Sequence, residues 1–258
     1  MPLRAGNGFL SRLGQLTCVT TAVVAFLLLA SPSAQAVRGG DDARARSYVA
    51  SLQTVRASDG GHFCGATLVT PQLLITAAHC VTGRRPTDVL VHLGAEYLAT
   101  GGEDHLVDRI DIHPDFDPAT YAHDLAVIGI RTRAAGASAS IVTQAPGTGR
   151  LFVELLGWGR TCPWSSCRPS SHLQSIESRT VPASQCAGYL GSGDLCAANP
   201  EGWRGPCYGD SGGPALDPAG RLTGIISRGP GGINCGEAPF TLTAVGDHLP
   251  WLRSLGVT

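Results

Sequence analysis

Three short stretches carry residues that could act together as a nucleophile, a base and an acid that orients the base. Ser211 sits in CYGDSGGPA (207–215), His79 in LITAAHC (74–80) and Asp124 in HDLAVIGI (123–130). A serine hydroxyl attacks a carbonyl only when a base takes its proton. An imidazole does this best when a buried carboxylate fixes its tautomer and stabilises the cation that forms. Alone, Ser211 has a plainer reading, because Asp-Ser-Gly-Gly-Pro also makes a tight turn, with glycine free to take positive φ and proline fixing its own. A lone histidine in an apolar stretch is commonly a satisfied core residue, and Asp124 at the head of an apolar strand needs partners for its charge. On an extended strand His123 points to the face opposite Asp124 and reads as a surface residue. The chemistry in view is acyl transfer through a covalent intermediate.

The elements that must bring these residues together are strands. Segments 66–69, 73–76, 89–93, 125–130, 151–156 and 222–227 are short, rich in Val, Ile, Leu and Thr, and bounded by Gly or Pro. Hydrophobic residues make up 43% of the 258 positions and charged ones only 15%, with 34 Gly and 17 Pro, which favours a turn-rich barrel or sandwich over a helical bundle or a disordered chain. Segments 134–149 and 161–171 read as surface loops. One helix is expected near the end, capped by Asp247 and running to Leu255 with Pro250 in its first turn. A net charge of -1 gives no electrostatic case for a nucleic acid or an anionic membrane as partner.

At the N-terminus, Arg4 and Arg12 precede an uncharged apolar run at 18–30, followed by SPSAQA. This is the pattern of a secretory signal, and the run is shorter than the roughly 20 residues that span a bilayer. Ala34-Gln35-Ala36 fits the small-residue cleavage site, giving a signal at 1–36 and one domain at 37–258. Cleavage removes Cys18 and leaves eight cysteines, an even set that reads as disulfides in a secreted chain, although order alone allows 105 pairings. No Cys-x-x-Cys with a second pair or a histidine cluster appears in the sequence to suggest zinc.

From residue 37 to about 255 the sequence closely resembles the chymotrypsin-like (trypsin-like, S1) serine peptidases of the secreted bacterial type. The resemblance rests on VRGG, HFCGATLV, TAAHC, IHPDFDPATYAHDLAVI, LLGWG, CYGDSGGPA, GIISRG and the final helix, in the family's order. It implies an all-β fold of two six-stranded antiparallel barrels with a C-terminal α-helix, the active site lying between the barrels. It implies a triad of His79, Asp124 and Ser211, an oxyanion hole from the N–H groups of Gly209 and Ser211, and Ser227 beside the carboxylate. Asp210 would pair with the α-amine of a mature chain beginning at Val37. Signal cleavage would itself expose that amine, so secretion and activation would coincide unless a Gln35-Ala36 dipeptide remained to be trimmed. The implied disulfides are Cys64 with Cys80, Cys186 with Cys196 and Cys207 with Cys235, leaving Cys162 and Cys167 to close a small loop unusual in the family.

The substrate pocket carried over from the family comprises Gly205, Pro206, Tyr208, Ser227, Arg228, Gly229 and Phe240. Gly205 stands where Lys/Arg-cleaving members have Asp, and a cation buried without a carboxylate would cost several kcal/mol. Phe240 would shorten the pocket and favour a small or medium aliphatic side chain, with Glu237 near the rim as a competing attraction for basic substrates. Expected partners are polypeptide substrates and protein inhibitors, for a secreted monomer that binds no membrane once the signal is removed. No cofactor and no metal are expected, because Glu96, Glu103 and Asp104 read as solvated carboxylates beside Ala95. The alternative is an inactive homologue that serves as a binding protein.

Overall fold

Strands with one buried face curl into two closed antiparallel sheets in the computed structural model, which describes residues 38–55, 61–145, 150–162, 167–199, 201–230 and 235–257. The expected signal segment and Val37 lie outside the described residues. After a two-residue strand β1 (Asp41–Asp42) come β2 (Val49–Thr54), β3 (His62–Thr70), β4 (Leu73–Thr76), β5 (Val89–Leu93), β6 (Glu103–Ile112) and β7 (Ala126–Ile130). These last six close a barrel in the order β2-β3-β4-β7-β6-β5. The second half supplies β8 (Phe152–Gly157), β9 (Gln174–Thr180), β10 (Asp194–Ala198), β11 (Pro214–Leu216), β12 (Leu222–Arg228) and β13 (Phe240–Ala244). Their order is β9-β10-β13-β12-β11-β8, and β8 pairs back onto β9 to complete the ring, with β1 added along β9.

Local patterning explains the closure. Leu52, Ala66, Leu68, Leu74, Val91, Val107 and Val127 are fully or almost fully buried in the first half, and β7 is buried along its whole length. Register shifts at Leu52/Gln53, Leu68/Thr70 and Val107/Arg109 bend the strands enough for six to form a cylinder. A smaller core of Val153, Leu155, Ile176, Ile226, Phe240 and Leu242 fills the second barrel. Each such side chain contributes about 1.5–3 kcal/mol by leaving water.

Helix is sparse. A single turn, α1 (Ala78–Val81), follows β4, and α2 (Leu249–Ser254) ends the described chain. Asp247 is not the cap expected from sequence. It lies inside a 3-10 turn, Gly246–His248, and α2 begins after it with Pro250 in the first turn, where a missing N–H is harmless. Disulfides join Cys64 to Cys80, Cys162 to Cys167, Cys186 to Cys196 and Cys207 to Cys235. No helix among the described residues is long and apolar enough to cross a membrane.

Candidate active site

The two barrels meet where β4 ends. Ala77 turns the chain into α1, which carries His79, and the Cys64–Cys80 disulfide ties that turn to β3. Across the junction the Gly65 N–H donates to the Ser211 carbonyl at 2.7 Å, and the Thr76 hydroxyl donates to the Gly65 carbonyl at 2.7 Å. Gly212 makes this approach achievable, since its φ is +82° and a Cβ there would meet the Gly65 carbonyl and Thr76 Oγ1.

Asp124 is completely buried just before β7, and each of its oxygens is engaged. Oδ1 accepts the His79 backbone N–H at 2.9 Å. Oδ2 lies 2.7 Å from His79 Nδ1 and accepts the Ser227 hydroxyl at 2.7 Å. The carboxylate therefore holds the imidazole with Nδ1 protonated and leaves Nε2 with its lone pair. Ser211 and His79 border the same cavities on both sides, but the Ser211 hydroxyl donates to the Ser227 carbonyl at 3.2 Å rather than to His79.

Gly209 and Ser211 share a revealing feature. Among the described residues neither backbone N–H has an acceptor, whereas those of Asp210, Gly212 and Gly213 do. Gly209 has φ +101° and its carbonyl is held away by His62, whose Nε2 lies 3.0 Å from it. Burial drives the His62 pKa down to about 4, so its ring is neutral, donating to Gly209 and accepting the Ser51 hydroxyl at Nδ1, 2.8 Å away. Neither Ser51 nor His62 was singled out in the sequence, since nothing local marks a relay between strands 11 residues apart.

Asp210 is also completely buried. Its carboxylate accepts the backbone N–H groups of Gly159 and Cys207, both at 2.8 Å, and lies so close to Gly157 and Gly159 that a Cβ on either would collide with it. This close approach is the physical content of the Gly-Trp-Gly pattern. Burial pushes the Asp210 carboxyl up to about 7 against the pull of the two amides. Val37, its expected partner, lies outside the described residues. Its neighbour Arg38 forms a backbone bridge with Gly205, whose N–H donates to the Arg38 carbonyl at 3.1 Å.

Beside His79 and Ser211 a pocket of about 480 Å³ is lined by Pro206, Tyr208, Ile226, Ser227, Arg228, Gly229 and Phe240 among others, with no carboxylate in its lining. Gly205 cannot carry a side chain in this arrangement, because a Cβ would stand 2.8 Å from Gly236 Cα. Phe240 is 4% exposed, and Tyr208 projects outward at 62%. Arg228 turns away to a buried partner, Asp194, at 2.7 Å, and also donates to the Tyr121 and Tyr189 carbonyls. Glu237 pairs with Arg38 at 2.9 Å, which occupies the rim carboxylate. On the other side of His79 and Ser211 a groove of about 810 Å³ includes Arg84, Arg160 and Arg168 and again no carboxylate.

One reading of the sequence needs revision. His123 is not a surface residue of an extended strand: with φ +54° it sits in a turn, half-buried, with His113 and His248 against its ring. Burial, then the neighbouring imidazoles, push the His113 pKa down to about 4. Glu96, Glu103 and Asp104 are solvent-exposed to a third or more, and each also adjoins a histidine, His172, His105 and His92, at 3.2, 3.2 and 2.6 Å.

The family model described as Trypsin matches residues 37–252. A trypsin of Saccharopolyspora erythraea is 32% identical over 223 residues, covering 81% of this chain and 93% of that protein. Neutrophil elastase of Mus musculus is 32% identical over 255 residues, 94% of this chain and 92% of its own length. Cathepsin G of the same organism is 28% identical over 244 residues, covering 90% and 89%.

Proposed function

The chain belongs to the trypsin family of serine peptidases and is a serine-type endopeptidase, and on that premise we propose that Ser211, His79 and Asp124 cleave peptide bonds through an acyl-enzyme. Ser211 Oγ adds to the scissile carbonyl carbon while His79 Nε2 takes its proton, and Asp124 stabilises the imidazolium. The negative oxygen accepts from the N–H groups of Gly209 and Ser211, which have no acceptor among the described residues, and this supports the assignment. Collapse expels the amine, which leaves with the proton from His79. Water then adds to the ester under the same base, releasing the acid and restoring Ser211. The observation that carries this reading is the buried Asp124 with both oxygens turned onto His79. Ser211 reaches His79 by rotating its hydroxyl away from Ser227, a tightening expected when substrate arrives.

The pocket supports cleavage after small or medium aliphatic residues. Pro206, Ile226 and Phe240 offer apolar walls, and a Lys or Arg side chain would find no carboxylate in the lining. Activation follows the same logic. Burial raises the Asp210 carboxyl to about 7, and a freed Val37 α-amine would supply a cation to hold it charged. The bridge of Arg38 to Gly205 supports the delivery of that amine. Four disulfides accord with a secreted protein whose signal occupies 1–36.

A peptide-library digest of the chain beside its Ser211→Ala variant tests the reading. Cleavage after Ala, Val or Leu by the first and none by the second is expected. Equal cleavage by both rejects Ser211 as nucleophile, and dominant cleavage after Arg rejects the pocket assignment.

A further inference from the structure

Three histidines far apart in sequence converge beside the active strand. His113 follows β6, His123 immediately precedes Asp124, and His248 closes the 3-10 turn before α2. Ring centroids lie 5.1 Å apart for His113 and His123, 5.0 Å for His113 and His248, and 5.3 Å for His123 and His248. One ring nitrogen from each falls within 4.8 Å of the others. Elsewhere His92, His105 and His172 each adjoin a carboxylate, but none of these three is hydrogen-bonded to one.

Hydrogen bonding orients the cluster. The Ala244 carbonyl can only accept, so His248 Nδ1, 2.7 Å away, carries the proton and Nε2 keeps its lone pair. That nitrogen faces His123 Nδ1 at 3.1 Å. A backbone carbonyl fixing the far nitrogen is the usual support of a metal-bound imidazole. His113 is anchored through its own N–H to the Leu125 carbonyl at 3.0 Å, and its Nδ1 accepts the Asp115 N–H at 3.2 Å. Gly193 packs against the group, where a Cβ would stand 2.6 Å from His248 Cε1 and 3.1 Å from its Nε2, so glycine keeps that nitrogen uncovered.

We propose that His113, His123 and His248 form a binding site for a divalent transition metal of the zinc class, separate from the substrate cleft. A tetrahedral ion with Zn–N bonds of about 2.0–2.1 Å holds its nitrogens about 3.3 Å apart and its imidazole centroids about 5 Å apart. The centroid spacings and the 3.1 Å separation of His123 Nδ1 from His248 Nε2 fit this, and the His113 nitrogen, within 4.8 Å of both, closes the rest by a side-chain shift. Nitrogen donors without carboxylate select zinc, copper or nickel over calcium or magnesium. On binding, the proton on His123 Nδ1 moves to Nε2, and His113 ligates as a neutral ring whose Nδ1 gives up the Asp115 N–H, while solvent completes the shell on the half-buried His123 side.

Isothermal titration of Zn²⁺ into the secreted protein tests the site, with Ser211→Ala as the parent to prevent self-digestion. The parent should take up one ion per chain, with Co²⁺ giving the visible absorption of a tetrahedral site. His123→Ala and His113→Gln should each weaken uptake by roughly 100-fold or more. They should also lose the zinc-induced rise in Tm. His79→Ala should bind as the parent does. Absence of uptake by the parent overturns the proposal, as does uptake unchanged in His123→Ala or abolished in His79→Ala. If the buried His113→Gln does not fold, His123→Ala decides, because that side chain is only half-buried.

Discussion

Asp124 and Asp210 are both completely buried, yet the chain treats the two carboxylates in opposite ways. Asp124, beside the first barrel, receives a backbone N–H, an imidazole and a hydroxyl, all from residues that folding alone brings there. Asp210, in the loop before β11, has two backbone amides and no side-chain donor, and burial lifts its pKa to about 7. One charge is compensated by the fold. The other, on the activation proposed above, awaits the α-amine freed at Val37.

The largest test of this contrast is Asp124→Asn, which should lower kcat about 10⁴-fold with little change in KM, because the amide favours the wrong imidazole tautomer. A loss below tenfold would remove Asp124 from the mechanism. Asp210→Asn should cost less, about 10²–10³-fold in kcat/KM, by loosening the donors at Gly209 and Ser211 without touching the base. Matching losses in the two variants would erase the distinction.

A third test uses pH. A carboxyl whose folded pKa lies above its unfolded value binds more protons when folded, so its contribution to stability is full below about pH 4 and falls as pH rises to about 7. Urea unfolding of inactive Ser211→Ala chains starting at Gln35 or at Val37 should diverge across that window. The Gln35 form should become less stable than the Val37 form by on the order of 4 kcal/mol at neutral pH. Parallel curves would show that no amine reaches Asp210. The smallest effect is expected from Ser227→Ala, which removes one of the donors to Asp124 and should lower kcat roughly tenfold.

Much of the barrel framework was legible in the sequence because the signal is local. Strands 73–76 and 89–93 have the bounds read from their apolar runs, three others shift by a residue, and the run read at 66–69 belongs to a strand that starts at His62, four residues earlier. The turn α1 was invisible, since four residues leave no helical period to detect. His123 was misjudged because alternation assumes an extended chain, and positive φ at Tyr121 and His123 breaks that assumption. Long-range partners were hidden for the same reason in each case. Nothing near Arg228 points to Asp194, 34 residues upstream, and nothing near His123 points to His248, 125 residues away.

Arg38 has a consequence for how this protein can evolve. Its carbonyl takes the Gly205 N–H, and its guanidinium reaches the Cys235 carbonyl and Glu237. The residue that follows the proposed processing site is thereby tied to Cys235, at the border of the proposed substrate pocket. On the reading proposed above, a lineage that alters residue 38 to suit a different processing enzyme would also disturb the pocket border, and one that changes Glu237 would leave the Arg38 guanidinium with the Cys235 carbonyl but without its carboxylate. On that reading, processing and substrate choice are physically coupled traits.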